Sequence, residues 1–180
     1  MIRQKDFKRM LAYSSCEHMG LLAIFWGLGM YETGLLHMGV HSLLKMMLFL
    51  TAGNILMAYG TRRIARNSGI LADIPLNAVI WIFGIILICG MPPSPLFITE
   101  YRLISVAGGV LGTIILVLLF IVFAAMSSAA LRMITGCNRE NTLKIDAGKA
   151  AEELAVLPAA LLLAAVVAGI LLICREAGVM

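Results

Sequence analysis

Along this chain, apolar runs of membrane length alternate with short stretches that gather nearly all of the charge. The first run covers about 10–30, behind Arg3, Lys5, Lys8 and Arg9, and reads as a helix. A tight Tyr31-Glu32-Thr33-Gly34 connection leads into a second helix over about 35–59, and a loop with Arg62, Arg63 and Arg66 follows. The third element starts near Pro75, whose fixed φ suits a first helical turn, and runs to 91. Pro92, Pro93 and Pro95 then remove backbone donors within four residues, so the chain resumes as a second short helix over 96–107. A fourth helix is expected over 110–133 and a fifth over 154–174, with Pro158 in its first turn. The polar stretch between them, with Arg139, Lys144 and Lys149, reads as a loop or a surface helix. The pattern predicts an all-α integral membrane protein, one membrane domain over 1–180. It has about five transmembrane helices, the third broken by proline.

Composition narrows the class. The chain is 61% hydrophobic and 13% charged, with a mean hydropathy of +0.97, more apolar surface than a soluble domain of 180 residues uses. The formal charge of +4 sits in short loops, where it acts as an orientation signal rather than a nucleic-acid surface. The N-terminal patch and the loops after the second and fourth helices are basic, while the other two connections carry no Lys or Arg. That alternation puts the N-terminus in the cytoplasm and the C-terminus outside. Cys16, Cys89, Cys137 and Cys174 are scattered, with no C-x-x-C pair to suggest zinc or iron–sulfur ligation. No metal or other cofactor is expected, and no signal-peptide pattern opens the chain.

The candidate chemistry lies in the polar residues of the apolar runs. His37, His41 and Lys45 follow one another at four-residue steps, on one slowly drifting helical stripe, with Lys45 near the middle of its helix. An ammonium at that depth costs several kcal/mol and needs a functional reason and a partner. Histidine exchanges protons near neutral pH, so three protonatable groups one turn apart suggest a proton path. A buried structural histidine is the plainer reading of either His alone; haem ligation does not fit, since two His one turn apart cannot take opposite axial positions. Glu100 follows the proline break, and broken membrane helices expose backbone only where they line a cavity or are packed in protein. An extramembrane loop is the plainer reading there. Glu17 and His18 either feed protons from the cytoplasmic side or sit at the interface, and Lys8 is an anchor or a pathway member.

Three ordered motifs resemble a known family. Asp6-Phe7-Lys8-Arg9-Met10-Leu11-Ala12-Tyr13-Ser14-Ser15 with Met19-Gly20 is similar to a signature of the antiporter-like subunits of respiratory complex I, Mrp-type antiporters and group 4 membrane-bound hydrogenases. His37, His41 and Lys45, followed by Leu48-Phe49-Leu50 and Gly53, resemble the family's lysine helix, and Gly90-Met91-Pro92-Pro93 with Phe97 and Glu100 resembles its broken helix. The wording looks closest to the large subunit of hydrogenase-4 and formate hydrogenlyase complexes. The resemblance implies the second of two inverted five-helix repeats in a proton-translocating, non-catalytic subunit of a prokaryotic inner-membrane redox complex. It implies Lys45 as central proton carrier, His37 and His41 as its relay, and Glu100 as the residue passing protons outward. The implied partners are lipid, a membrane subunit supplying the first repeat, and peripheral iron–sulfur or NiFe subunits; the acid that tunes Lys45 is expected in a neighbouring chain. An Mrp-type antiporter fragment and a non-conducting structural subunit are the alternatives.

Overall fold

Capping chemistry, more than the apolar pattern, fixes where the helices begin and end. A computed structural model of the chain describes residues 4–64, 69–135 and 145–176; Arg3, Arg66, Cys137, Arg139 and Lys144 lie outside the described residues. These residues form α1 (Phe7–Gly27), α2 (Tyr31–Tyr59), α3 (Ile70–Asp73), α4 (Pro75–Ile88), α5 (Pro95–Ala107), α6 (Gly109–Thr135), α7 (Ile145–Glu153) and α8 (Val156–Glu176). Asp6 caps α1 by accepting the Lys8 and Arg9 amides at 2.9 and 3.2 Å, so the helix starts inside the basic patch rather than at the apolar run. The Tyr-Glu-Thr-Gly stretch is not a connection but the first turn of α2, where Glu32 complements the positive helix end. The actual turn is Leu28 to Met30, with Gly29 at φ +73 and the Met30 amide donating to the Phe25 carbonyl at 2.8 Å. At the proline break, Ser94 joins both halves. Its hydroxyl accepts the Leu96 amide at 3.2 Å and donates to the Leu87 carbonyl at 2.7 Å.

α2 forms the centre of the bundle, against α1, α4, α5, α7 and α8. α1 and α2 run antiparallel, as Leu11 meets Lys45, His18 meets His37, and Phe25 meets His37 and Gly34. The main core joins Phe7, Met10 and Leu11 to Leu44, Met47 and Leu48 and to Trp81 and Ile85, with Phe7 edge-on to Trp81 at 5.7 Å. Gly84 lets α4 close on α2; a Cβ there would stand 2.5 Å from Met47 Cε and 2.7 Å from Leu48 Cδ2. Gly169 of α8 packs on the Pro93 carbonyl, so α8 covers the broken backbone on that side.

Among the described residues, three helical stretches are long and apolar enough to cross a membrane: Tyr31–Tyr59, Gly109–Thr135 and Lys149–Arg175; α4 is apolar but only 14 residues long. The span in α2 is 50% buried, and those in α6 and α8 only 17%, with leucines, isoleucines and phenylalanines facing outward. Apolar helices exposed to this extent belong in lipid or against other membrane helices. The chain is an all-α, multi-pass membrane protein.

Candidate functional site

Lys45 lies at the middle of α2 and is 6% exposed. Its ammonium donates to the Leu11 carbonyl at 2.5 Å and to the Ser14 hydroxyl, both on α1. Ser14 in turn donates to the Leu11 carbonyl at 3.2 Å, leaving an oxygen lone pair for the lysine. These bonds offset part of the several kcal/mol that an unpaired ammonium costs at this depth. One turn further along α1, Glu17 attracts Lys45 across the helix contact. The acid expected in a neighbouring chain thus has a counterpart within this one, on the facing helix.

His41 and His37 follow Lys45 at one-turn intervals toward the start of α2, and His18 of α1 stands beside both. The His18 and His41 rings are 4.3 Å apart between centroids, and His18 Nδ1 meets His37 Nε2 at 3.1 Å. His37 Nδ1 meets Thr99 Oγ1 of α5 at 2.8 Å, and Thr99 donates to the Leu96 carbonyl at 2.8 Å. A hydroxyl has one proton, so Thr99 accepts from an Nδ1–H of His37. A neutral His37 then accepts at Nε2 from His18 Nδ1–H, an order of donors from α1 through α2 to α5, while the Ile88 carbonyl also faces His18. His18 is 1% exposed, so its ring is packed in protein rather than reaching toward water. Both nitrogens of His37 are engaged by protein, and among the described residues no group of His, Cys, Asp or Glu forms a metal site.

Glu100 is held at the break in a different way. It is 6% exposed, and its carboxyl lies against Gly90, where any Cβ would collide with Oε2. Its Oε1, like His41 Nδ1, has no hydrogen-bond partner among the described residues. Glu100 borders an apolar cleft of about 290 Å³ with Cys89, Phe97, Leu116 and Phe120, and it interacts electrostatically with Glu17.

The fold therefore gathers Lys45, His41, His37, His18 and Glu17 into one α1–α2 cluster, linked through Thr99 to the half-helix carrying Glu100. Lys8 remains apart, half-buried on the first turn of α1. Ser14 and the bonding role of Thr99 were not anticipated. A signal for Ser14 was present: Ser14, Glu17 and His18 form an i, i+3, i+4 polar stripe in the middle of a largely apolar helix. Chemically, the cluster is a row of groups able to hold and exchange protons in a dry environment.

The family model described as NADH:quinone oxidoreductase/Mrp antiporter, transmembrane, matches residues 1–128. A hydrogenase-4 component F homolog of Methylacidiphilum infernorum is 38% identical over 108 residues, 58% of this chain and 23% of that protein. An NAD(P)H-quinone oxidoreductase chain 5 of Picosynechococcus is 29% identical over 117 residues, 59% of this chain and 17% of that protein. A Synechocystis chain 5 is 30% identical over the same length. The chain thus spans less than a quarter of the length of these curated relatives.

Proposed function

This chain belongs to the NADH:quinone oxidoreductase/Mrp antiporter transmembrane family, and we infer that it is a proton-translocating subunit of a multi-subunit, redox-driven ion pump. The hydrogenase-4 type is favoured, because the 38% identity to the component F homolog exceeds the 29% and 30% to the chain 5 proteins. One observation carries the reading: at the centre of the bundle, Lys45 heads an almost continuous row of buried proton-exchanging groups through His41, His18 and His37 to Thr99. A buried row of this kind is costly in an apolar setting, and a purely structural helix contact does not call for it.

Lys45 is the central carrier, because it is mid-helix, buried, and coupled to a carboxylate of the facing helix, Glu17. The histidines relay, and Glu100 is the acid at the break that feels the charge of Glu17. The chain performs no redox chemistry; electron transfer in partner iron–sulfur or NiFe subunits would alter the field along this row, and Lys45 would answer by gaining or losing a proton. A partner membrane subunit completes the pathway on the side that α1 and α2 leave open. Five crossings are proposed (α1, α2, α4 with α5, α6, α8) in a prokaryotic inner membrane, with the N-terminus cytoplasmic.

The decisive experiment replaces Lys45 with Met in the complete complex and follows redox-driven proton uptake into vesicles. Met keeps the length and apolar stem without the charge. Proton uptake should fall at least tenfold with the subunit still assembled. Uptake equal to the parent's would sink the reading and leave a structural role.

A further inference from the structure

Beyond Thr99 the polar row reaches a second cavity. A vestibule of about 190 Å³ lies where the start of α2, the first turns of α5 and the end of α8 converge. Glu32 and Thr33 of α2, Arg102 of α5 and Arg175 of α8 border it, with Thr99 among its walls. Thr99 is fully buried and bonded to His37, so it stands between the histidine cluster and the vestibule it helps to wall. On the other side of α5, the cleft beside Glu100 is mostly apolar, walled by Met91, Phe97, Leu116, Leu119 and Phe120, with Tyr101 as its hydroxyl-bearing residue. A proton leaving the histidine cluster thus has a polar-lined route through Thr99 and a mostly apolar one past Glu100.

We propose that Thr99 is the outlet gate of the proton path, discharging from His37 into the vestibule of Glu32, Arg102 and Arg175. The proposal rests on the proton-translocation reading above. A proton arriving at His18 from the Lys45 side makes it an imidazolium, which gives its Nδ1 proton to His37 Nε2, so that His18 is neutral again and His37 is the imidazolium. His37 gives its Nδ1 proton to Thr99 Oγ1 while the Thr99 hydroxyl, turned from the Leu96 carbonyl, gives its own to vestibule water or the Glu32 carboxylate. One proton enters and one leaves, only N–H and O–H bonds change, and no electrons move. His37 is left as the other tautomer and turns before the next proton. Because Thr99 is dry, a closed gate leaks no water; because its hydroxyl both accepts and donates, it passes a proton without an open pore. Valine at this position keeps the shape but can do neither.

The test uses the complete complex in vesicles, measuring protons moved per electron transferred. Thr99→Val should reduce that ratio at least tenfold, and Thr99→Ser should stay within twofold of the parent. A second arm needs no folding of a gate variant. Leu36 also borders the vestibule and is 37% exposed. Leu36→Cys is assembled and then modified with a bulky, membrane-impermeant thiol reagent, the parent chain serving as control for its own cysteines. Modification should cut the ratio at least tenfold relative to the same unmodified sample. An unchanged ratio in Thr99→Val, or in modified Leu36→Cys, overturns the proposal. Run alongside, Lys45→Met separates the two levels. If it loses translocation while Thr99→Val does not, only the outlet is misassigned; if both pump normally, the proton-translocation reading falls with it.

Discussion

At the residue scale, Gly90 shows how closely the break is fitted around its acid. The glycine has φ +68, a left-handed conformation that costs an alanine about 1–2 kcal/mol. It also faces the Glu100 carboxyl, whose Cδ would lie 2.7 Å from an added Cβ. Gly60, at φ +67 with nothing within 4 Å of such a Cβ, bears the backbone cost alone. Gly90→Ala should therefore destabilise the detergent-solubilised complex more than Gly60→Ala, by about 1–3 kcal/mol for the displaced buried carboxyl, read as the lower thermal midpoint of the two. In a Glu100→Ala background the two glycine substitutions should cost the same, as in a double-mutant cycle; a persisting difference would mean that Glu100 is not what Gly90 accommodates. The site was legible in the sequence where the signal is local. His37, His41 and Lys45 share a stripe by helical period alone, and the prolines announce the break before Glu100. Which helix faces that stripe is a tertiary fact. Glu17 and His18 could not be told from interfacial residues until the antiparallel α1–α2 contact put His18 between His37 and His41 and Glu17 near Lys45.

At the scale of elements, one helix supplies what another lacks. α4 begins behind Ile74, which has no side-chain cap to offer. Glu152 of α7 takes the place of that cap, accepting the Leu76 and Asn77 amides at 3.3 Å each, while the Asn77 amide group donates to the Ala151 carbonyl at 2.9 Å and Asn54 donates to Asn77 at 3.0 Å. Orphaned amides at a helix N-terminus need such an acceptor, and a carboxylate also complements the helix dipole. Glu152→Ala should cost about 0.5–2 kcal/mol, the usual range for a lost cap, and Glu152→Gln less. Thermal unfolding should register this as a drop of about 2–4 °C per kcal/mol; an unchanged midpoint would make the contact incidental. No periodicity announces this partnership. The stretch holding α7 is polar and lies 75 residues from the amides it caps, so the sequence leaves it open between loop and surface helix. The start of α2 was misread for a related reason: Tyr31-Glu32-Thr33-Gly34 has turn-like composition, but Gly29 supplies the turn and frees those residues to be helical.

At the scale of the whole molecule, the open question is how α4 and α5 count as crossings. At 1.5 Å per residue, their 14 and 13 residues reach only about 21 and 20 Å, short of the ~30 Å hydrocarbon core. Joined across the Ser94 link they make one crossing; folded back on each other they would make none. The two arrangements place the end of α6 on opposite sides, because α6 itself is long enough to cross. Three exposed positions distinguish them: Tyr31 at the start of α2, Arg63 just after its end, and Leu154 between α7 and α8. Single cysteines are introduced there in a background without the native ones and exposed to an impermeant thiol reagent from each side of sealed vesicles. Tyr31→Cys should react only from outside. Arg63→Cys should react only from the cytoplasm, where the basic loops belong. Leu154→Cys should share the side of Arg63→Cys, since one crossing by α4 with α5 and one by α6 bring the chain back. Labelling of Arg63→Cys and Leu154→Cys from opposite faces would make the break a re-entrant hairpin. Glu100 would then hang from the tip of a loop rather than stand midway along a proton path, and the five-crossing topology would have to be abandoned.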